Sequence, residues 1–345
     1  MKALKFLGNS KSEMAEIPML QPKKGEVLVK IMVSALCGSE RGDYTRPDPI
    51  GYVSGHEFAG QIVEVNQTIN IKTGDRVTIN VIEGCGDCYF CKKGLQQLCR
   101  SITGWNGGHG EYACVPESCC IKIPDELDYD TAVLVGGDTL GVAFRAFSSL
   151  PRSFGQIAYV SGSGPIGLGV SAMLKFNGYH VVVSEPCEYR RAFSLSAVNS
   201  DTVLNPETDD IKKYLDELTH GIGPDVAIEC SGKEAAQKLA LELVRNQGAV
   251  VFCGENYTGL NIIPSAHIIH KEITLKGVFY YTKEDFVSVY ELYKRGLAAE
   301  RLISHRFSLD RAPEAFRTFF PDNPGNVGNT GKVLLYRYVK EGVLV

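Results

Sequence analysis

Residues 160–169 read VSGSGPIGLG and decide the fold of half of this chain. Gly162, Gly164 and Gly167 follow the spacing G-x-G-x-x-G between an apolar segment, QIAYVSG, and a helix-like segment, PIGLGVSAMLKFNG. The first glycine makes a tight turn, the second admits a pyrophosphate against the backbone, and the third lets the helix pack on the strand. Pro165 and Ile166 open the helix, whose N-terminus faces the negative charge. The stretch therefore predicts a dinucleotide site.

The next strand-like segment, HVVVSE, ends at Glu185, 23 residues after Gly162. A carboxylate at this place can hold the ribose diol of adenosine and would repel a 2′-phosphate, so NAD is favoured over NADP. Arg190 and Arg191 weaken this preference because an arginine can accept the 2′-phosphate. Their alternative role is as solvated helix charges. We predict NAD as the cofactor, with Arg190 among its contacts.

From about residue 150 onward, strand-like and helix-like segments alternate. DVAIECSG, GAVVFCG and EITLKGVFYY are separated by stretches such as KEAAQKLALELVRNQ. Such alternation predicts right-handed crossovers and a parallel sheet covered on both faces. The segments KGEVLVKIMVSAL, GHEFAGQIVEV, KTGDRVTIN and GEYACVP precede this region and predict an antiparallel or barrel-like β domain. ISHRFSLDRAPEAFRTF and GKVLLYRYV follow it and suggest a return to the first domain.

These patterns predict an α/β chain in three segments. Residues 1–138 form a β-rich domain, 139–298 a dinucleotide-binding domain, and 299–345 the return. The length of 345 residues fits two domains. With 44% hydrophobic residues, 22% charged residues and a net charge of −4, nothing indicates nucleic acid or a membrane surface. The start of the chain lacks an apolar leader, and the 11 cysteines are an odd number. We therefore expect a cytoplasmic protein with reduced thiols.

Four of those cysteines stand within CGDCYFCKKGLQQLC, residues 85–99, as Cys85, Cys88, Cys91 and Cys99. The spacing C-x2-C-x2-C-x7-C lets a turn aim all four sulfurs at one point. Four thiolates close a tetrahedral zinc site and leave no position for substrate, so this zinc holds a loop and catalyses nothing. The alternatives are disulfides, an iron–sulfur cluster or unconnected buried thiols.

A second metal site is indicated upstream. Cys37 lies in ALCGSERGDY, while His56 and Glu57 lie in SGHEFAGQIVEV. A thiol, an imidazole and a carboxylate would give zinc three protein ligands and leave a fourth position open, as catalytic zinc sites do. Alone, His56 and Glu57 would more often be ordinary polar residues. A cofactor domain in the same chain favours the catalytic reading.

These motifs resemble the zinc-dependent medium-chain dehydrogenase/reductase superfamily, in its alcohol, polyol and threonine dehydrogenase branch. The resemblance rests on CGS, GHE with Gly60, the four-cysteine lobe, GEY, SGSGPIG, ISHRFSLD and GKVLL. It implies a GroES-like catalytic domain completed by the C-terminal segment, together with a Rossmann domain. It also implies that Cys37 and His56 are catalytic zinc ligands, that Glu57 is the zinc-ligating acid of the polyol branch, and that Ser39 relays the substrate proton.

The chain departs from this family pattern at several positions. Glu40 stands where the family usually has an aspartate that partners the ligand histidine. In VLVGGDTLG, Gly136 occupies the place of the remaining family Cys or Glu ligand. Asp138, two residues on, would either reach the metal or cap the following helix. Gly42 replaces a histidine that passes the proton to solvent in many relatives, so the proton would leave through water, the cofactor ribose or His109.

The predicted function is zinc-dependent NAD(H) oxidoreduction between a secondary alcohol and its ketone. The alcohol would be a polyol, a sugar alcohol or an amino alcohol. By family resemblance we also expect a homo-oligomer, a dimer or a tetramer. Two alternatives remain at this stage: a zinc-free quinone or enoyl reductase of the same superfamily, and a non-catalytic dinucleotide-binding protein. The number of bound zinc ions distinguishes the three functions, because only zinc-dependent alcohol oxidoreduction needs about two zinc ions per chain.

Overall fold

A computed structural model describes residues 1–151, 156–321 and 328–337 of the chain. Two compact units are present. The first contains Met1–Asp138, Tyr281–Glu291 and Ile303–Val345, and the second contains Thr139–Tyr280 and Leu292–Leu302. The first segment of the first unit ends at Asp138, and the second unit begins at Thr139. Two segments differ from the predicted division: Tyr281–Glu291 groups with the first unit, and the return begins at Ile303 instead of residue 299. Residues 322–327 and 338–345 of the predicted return lie outside the described residues.

The strands of the described residues, in chain order, are β1 Lys2–Gly8, β2 Lys11–Glu16, β3 Glu26–Ala35, β4 Glu57–Val65, β5 Arg76–Ile79, β6 Ile82–Glu83, β7 Thr103–Gly104, β8 Tyr112–Pro116, β9 Cys120–Lys122, β10 Ile157–Ser161, β11 His180–Ser184, β12 Thr202–Leu204, β13 Val226–Glu229, β14 Ala249–Phe252, β15 Thr274–Gly277, β16 Ile303–Ser308 and β17 Lys332–Tyr336. The α-helices are α1 Arg41–Thr45, α2 Tyr129–Val135, α3 Asp138–Ser148, α4 Pro165–Phe176, α5 Glu188–Phe193, α6 Ile211–Leu218, α7 Glu234–Leu243, α8 Lys283–Lys294 and α9 Ala312–Phe319. None of these helices is long and apolar enough to cross a lipid bilayer.

The first unit is built on a mixed sheet in the order β16-β17-β3-β4-β5-β9, with β8 also paired to β3. The central strand β3, EVLVKIMVSA, is apolar on both faces because it is buried between its neighbours. At its end, Ala35 pairs with Glu57 on β4 and with Leu334 on β17. The segments that leave β3, enter β4 and enter β17 therefore meet at one edge of the sheet, which positions the candidate site.

The second unit contains a six-stranded sheet in the order β12-β11-β10-β13-β14-β15, parallel throughout. This is the Rossmann strand order 3-2-1-4-5-6. Two glycines permit the turn from β10 to α4. Gly162 has φ +89°, and a Cβ on Gly167 would lie 1.9 Å from the carbonyl oxygen of Gly162. The predicted parallel α/β architecture is confirmed, with a core of Val, Ile, Leu and Ala side chains from the strands and from helices such as α4.

Candidate active site

Four potential metal ligands converge at the edge of the first unit's sheet. Cys37 follows the end of β3, His56 directly precedes β4, Glu57 is the first residue of β4, and Asp138 is the first residue of α3. One donor atom from each side chain lies within 4.8 Å of those of the other three. The antiparallel pairing of β3 with β4 brings the first three together, whereas Asp138 arrives from a distant part of the chain.

Cys37, His56 and Asp138 have the spacing of ligands around one zinc ion. Asp138 Oδ2 lies 3.3 Å from His56 Nε2 and 3.5 Å from Cys37 Sγ. Zinc bonds of ~2.0–2.3 Å in a tetrahedron separate neighbouring ligand atoms by about 3.3–3.8 Å. In addition, Asp138 Oδ1 is buried and has no hydrogen-bond partner among the described residues. A buried carboxylate oxygen without a donor fits a site that receives a cation.

The start of α3 aims Asp138 into this cluster. Helix α2 ends at Val135 with Gly136 as its C-cap, and the chain passes through Gly137 before α3 begins. A Cβ on Gly137 would lie 2.2 Å from the carbonyl oxygen of Val133 and 2.7 Å from Glu57 Oε2, so only glycine fits. Gly136 instead packs against Thr78. Gly136 has no side chain to offer the cluster, whereas the Asp138 carboxylate lies in it.

Glu57 belongs to the cluster, but neighbouring groups occupy both of its oxygens. Its Oε1 lies 2.5 Å from the Lys332 ammonium, and its Oε2 accepts a hydrogen bond of 3.1 Å from the backbone N–H of Asp138. Glu57 and Lys332 are each only 1% exposed, so this ion pair is almost fully desolvated. Glu57 thus fixes the first residue of α3 and neutralises a buried lysine.

The electrostatics of the cluster favour a divalent cation. Burial raises the pKa of the Cys37 thiol and that of the Glu57 carboxyl. Burial alone would lower the pKa of His56, but Cys37 and Asp138 raise it well above its usual value. A thiol and two carboxyls thus crowd one imidazole and one lysine in a dry site. A zinc ion bound here would stabilise this arrangement, because its positive charge would favour the deprotonated thiolate and imidazole, which are the forms that bind metal.

Ser39 lies beside the same atoms. Its Oγ is 3.3 Å from Cys37 Sγ and 3.4 Å from His56 Nε2, and the residue is exposed. Its hydroxyl therefore has the cluster on one side and solvent on the other.

Two expectations about neighbouring residues are corrected. Glu40 was expected to partner the ligand histidine, but its side-chain hydrogen bonds go to His109 Nε2 at 2.9 Å, the Ser54 hydroxyl at 2.6 Å and the Cys37 backbone N–H at 3.0 Å. His109, considered as a route for the proton to solvent, is 0% exposed. Because its other ring nitrogen contacts Ser34 Oγ at 3.0 Å, His109 is committed to internal contacts.

The four-cysteine lobe forms a separate, closed group. Four sulfur atoms lie within 4.8 Å of one another, those of Cys85, Cys88, Cys91 and Cys99. None of these cysteines is in a disulfide. Backbone N–H groups of Asp87 and Cys88 lower the pKa of Cys85 to about 6, which favours its thiolate form. Burial raises the pKa of Cys91 to about 12, and a zinc ion would offset this cost. The donor set therefore fits the predicted structural zinc.

The phosphate cradle lies at the carboxyl end of β10. The Glu185 carboxylate accepts hydrogen bonds from the backbone N–H of Ser163 at 2.7 Å and that of Cys187 at 2.9 Å. Glu185 therefore sits against the glycine loop at the end of β11, where the sequence placed it. Arg190 is buried, with Nη1 3.5 Å from where a Cβ on Gly164 would stand. Gly162, Gly167, Pro165 and Ile166 complete the turn into α4.

The structure adds two residues to the candidate site. The sequence left open whether Asp138 reaches the metal or caps a helix, and the structure places its carboxylate in the cluster. Lys332 was quoted only as part of the closing GKVLL motif. A lysine within an otherwise apolar strand is a signal for a buried ion pair, although the sequence does not identify the partner.

Comparisons with known proteins give matches over most of the chain. The family model for the alcohol dehydrogenase GroES-like domain matches residues 23–125, and that for the zinc-binding dehydrogenase domain matches residues 165–295. The chain is 32% identical to L-threonine 3-dehydrogenase of Pyrococcus furiosus over 339 residues, which cover 94% of each chain.

Two solved structures extend the comparison. 2R,3R-butanediol dehydrogenase from Bacillus subtilis superposes with a TM-score of 0.82 at 27% identity, covering 98% of this chain and 99% of that chain. An alcohol dehydrogenase from Escherichia coli CFT073, complexed with NADH, superposes with a TM-score of 0.86 at 26% identity, covering 97% and 99%. The likeness thus extends over both units.

Proposed function

Since this chain belongs to the zinc-dependent medium-chain dehydrogenase/reductase family, it is a zinc-containing, NAD-dependent oxidoreductase of secondary alcohols, and we propose that Cys37, His56 and Asp138 hold its catalytic zinc. The observation that carries this assignment is the 3.3–3.5 Å spacing of Asp138 Oδ2 from the other two donors. We propose Asp138 instead of Glu57 as the third ligand, because the Glu57 oxygens already interact with the Lys332 ammonium and the Asp138 N–H, whereas Asp138 Oδ1 has no hydrogen-bond partner among the described residues.

The chemistry then divides among few groups. Zinc bound at this site supplies Lewis acidity, which lowers the pKa of the substrate hydroxyl so that its proton leaves near neutral pH. Ser39 accepts that proton through Oγ and passes it to water, since the residue is exposed. Loss of this proton, and of a hydride to the nicotinamide, converts the alcohol to a ketone. Because Ser39 is exposed, it can pass the proton directly to water. A histidine at position 42, where this chain has glycine, is therefore not required.

We propose a substrate with a secondary hydroxyl beside a second polar group: a polyol, a sugar alcohol or an amino alcohol. The named activities of the threonine and butanediol dehydrogenase relatives support this class. The test is a panel of such alcohols with NAD, and of quinones and enones with NADH, followed by absorbance at 340 nm before and after treatment with a zinc chelator. We expect turnover on at least one member and its loss on chelation. Turnover confined to quinones or enones, or unaffected by chelation, would favour the zinc-free reductase instead.

Replacing Glu185 with alanine is expected to weaken NAD binding by on the order of tenfold and to improve the relative use of NADP. The carboxylate supplies a charge-assisted acceptor for the ribose diol, worth ~1.5–3 kcal/mol, and repels a 2′-phosphate. The ratio of kcat/KM for NAD and NADP measures the effect. Glu188→Ala, in the following helix, is the matched control and should leave the ratio unchanged. An unaltered ratio in Glu185→Ala would show that Glu185 only supports the loop.

We propose that two copies of the chain associate through β15. This strand ends the parallel sheet, and all four of its residues are exposed. Leu275 on this strand and Phe279 just beyond it are exposed apolar side chains. An exposed edge strand is a template for pairing with another strand. Light scattering coupled to size exclusion should give twice the chain mass, and Leu275→Lys should shift it toward the monomer. A wild-type monomer would refute this proposal.

We also propose that the protein works in the cytoplasm. All 11 cysteines are free thiols, including those of both metal clusters, and such thiols persist in a reducing compartment.

A further inference from the structure

One buried carboxylate, that of Glu40, joins three segments around the catalytic cluster. Its Oε2 accepts a hydrogen bond of 3.0 Å from the backbone N–H of Cys37. Its Oε1 accepts one of 2.6 Å from the hydroxyl of Ser54, two residues before His56. The same oxygen lies 2.9 Å from His109 Nε2. Glu40 thus holds the backbone of one proposed zinc ligand and the segment that leads to another.

His109 is placed to hold Glu40 in turn. Its ring is fully buried, packs edge-on against Phe316 at 5.3 Å, and contacts Ser34 Oγ at 3.0 Å through Nδ1. Its backbone N–H donates to the carbonyl oxygen of Ser54 at 3.0 Å. His109 therefore touches the loop before His56 through both its main chain and its side chain.

Donors face both oxygens of the Glu40 carboxylate: the Cys37 N–H on Oε2 and the Ser54 hydroxyl on Oε1. Because a carboxylate only accepts hydrogen bonds, His109 Nε2 donates to Oε1. A buried, charge-assisted pair of this kind has little freedom to move.

We propose that Glu40 and His109 act as a positioning pair that holds Cys37 and His56 at metal-binding distance. This inference rests on the proposed zinc role of those two ligands. Neither member of the pair is proposed to touch zinc or substrate. The pair fixes the N–H of Cys37 and the approach to His56, so that the sulfur and imidazole are in place before the metal arrives. Outer residues that orient metal ligands typically contribute 10–100-fold to metal affinity or activity.

The alternative is that Glu40 and His109 only stabilise the fold. Measurements of metal binding distinguish this structural role from the positioning role. The variants are Glu40→Gln and His109→Phe. Glutamine has one accepting oxygen in place of two, so it cannot accept from the Cys37 N–H as well as from His109 and Ser54. His109→Phe keeps the aromatic contact with Phe316. Glu26→Gln is the matched control, since Glu26 is a buried acid that accepts a backbone hydrogen bond of 2.8 Å from Lys23. It begins β3, roughly 30 Å along the strand from Cys37.

The readouts are the cobalt dissociation constant of the catalytic site, measured by chelator competition, and the visible absorption of the bound cobalt. We expect Glu40→Gln and His109→Phe each to weaken cobalt binding by about 10–100-fold and to shift its absorption bands. The double variant should lose little more than either single variant, because the two residues act as one unit. Glu26→Gln should bind cobalt like the wild type even if its melting temperature falls.

The milder variant Ser54→Ala removes one hydrogen bond to Glu40 and covers the case in which Glu40→Gln does not fold. We expect about tenfold weaker cobalt binding. Wild-type cobalt affinity and spectrum in Ser54→Ala and in every folded variant of the pair would overturn the inference, whatever their melting temperatures. A wild-type chain that binds no metal outside the four-cysteine lobe would instead refute the proposed function. The two failures are therefore distinguishable.

Discussion

Replacing Asp138 with alanine is expected to reduce alcohol oxidation by on the order of a thousandfold. Lewis-acid stabilisation is worth several kcal/mol, and each 1.36 kcal/mol is tenfold in rate. Asp138 Oδ2 lies 3.3 Å from His56 Nε2 and 3.5 Å from Cys37 Sγ, so its loss leaves zinc with two proposed ligands. The backbone N–H that binds Glu57 is retained in alanine. Initial rates of NADH formation, with zinc per chain after dialysis, measure the effect.

Glu57→Gln provides the contrast. We expect this variant to keep its catalytic zinc and to lose at most the 10–100-fold typical of residues that support metal ligands. Asp130→Ala, which removes a carboxylate bonded to Tyr336 in the same unit, should leave both zinc ions in place. The assignment fails if Glu57→Gln strips the catalytic zinc while Asp138→Ala retains it, because Glu57 would then be the ligand.

Replacing Lys332 with methionine is expected to lower the free energy of unfolding by about 3–5 kcal/mol. Removing one partner of a buried ion pair strands the other charge in a dry site. Lys332 and Glu57 are each 1% exposed and lie 2.5 Å apart, and methionine roughly conserves the volume of lysine. Urea unfolding followed by circular dichroism measures the loss.

Two further variants make this prediction specific. Lys2→Met removes an exposed ammonium that pairs with Asp310 at 2.8 Å, and it should leave the unfolding midpoint near that of the wild type. Combining Lys332→Met with Glu57→Gln removes both charges and should recover much of the lost stability. If Lys332→Met unfolds at the same urea concentration as Lys2→Met, the pair is not desolvated.

The fold was largely predictable because its signals are local. Gly162 and Gly167 mark the turn into α4, and alternating apolar segments mark the parallel sheet, so the Rossmann architecture follows from residues close in sequence. Cys37 and His56 were proposed as ligands because a thiol and an imidazole in two loops beside a cofactor domain are unusual, and the structure brings the two side chains together. Each of these signals depends on residue type and spacing alone.

Contacts between residues far apart in the chain could not be predicted from the sequence. Glu57 meets Lys332 from 275 positions away, and Cys37 meets Asp138 from 101 positions away. No spacing rule relates such residues, because the sheet, and not the local chain, brings them together. The longer side chain of Glu40 similarly bonds His109 instead of the expected ligand histidine, a choice set by loop packing. Segment 281–291 joins the first unit for the same kind of reason.

The most direct test of the account is the number of zinc ions bound per wild-type chain, measured by inductively coupled plasma mass spectrometry after dialysis. One closed site is formed by Cys85, Cys88, Cys91 and Cys99, and one open site is proposed around Cys37, His56 and Asp138. We expect two zinc ions per chain. A single zinc ion per chain, in a protein that still oxidises alcohols with NAD, would contradict it.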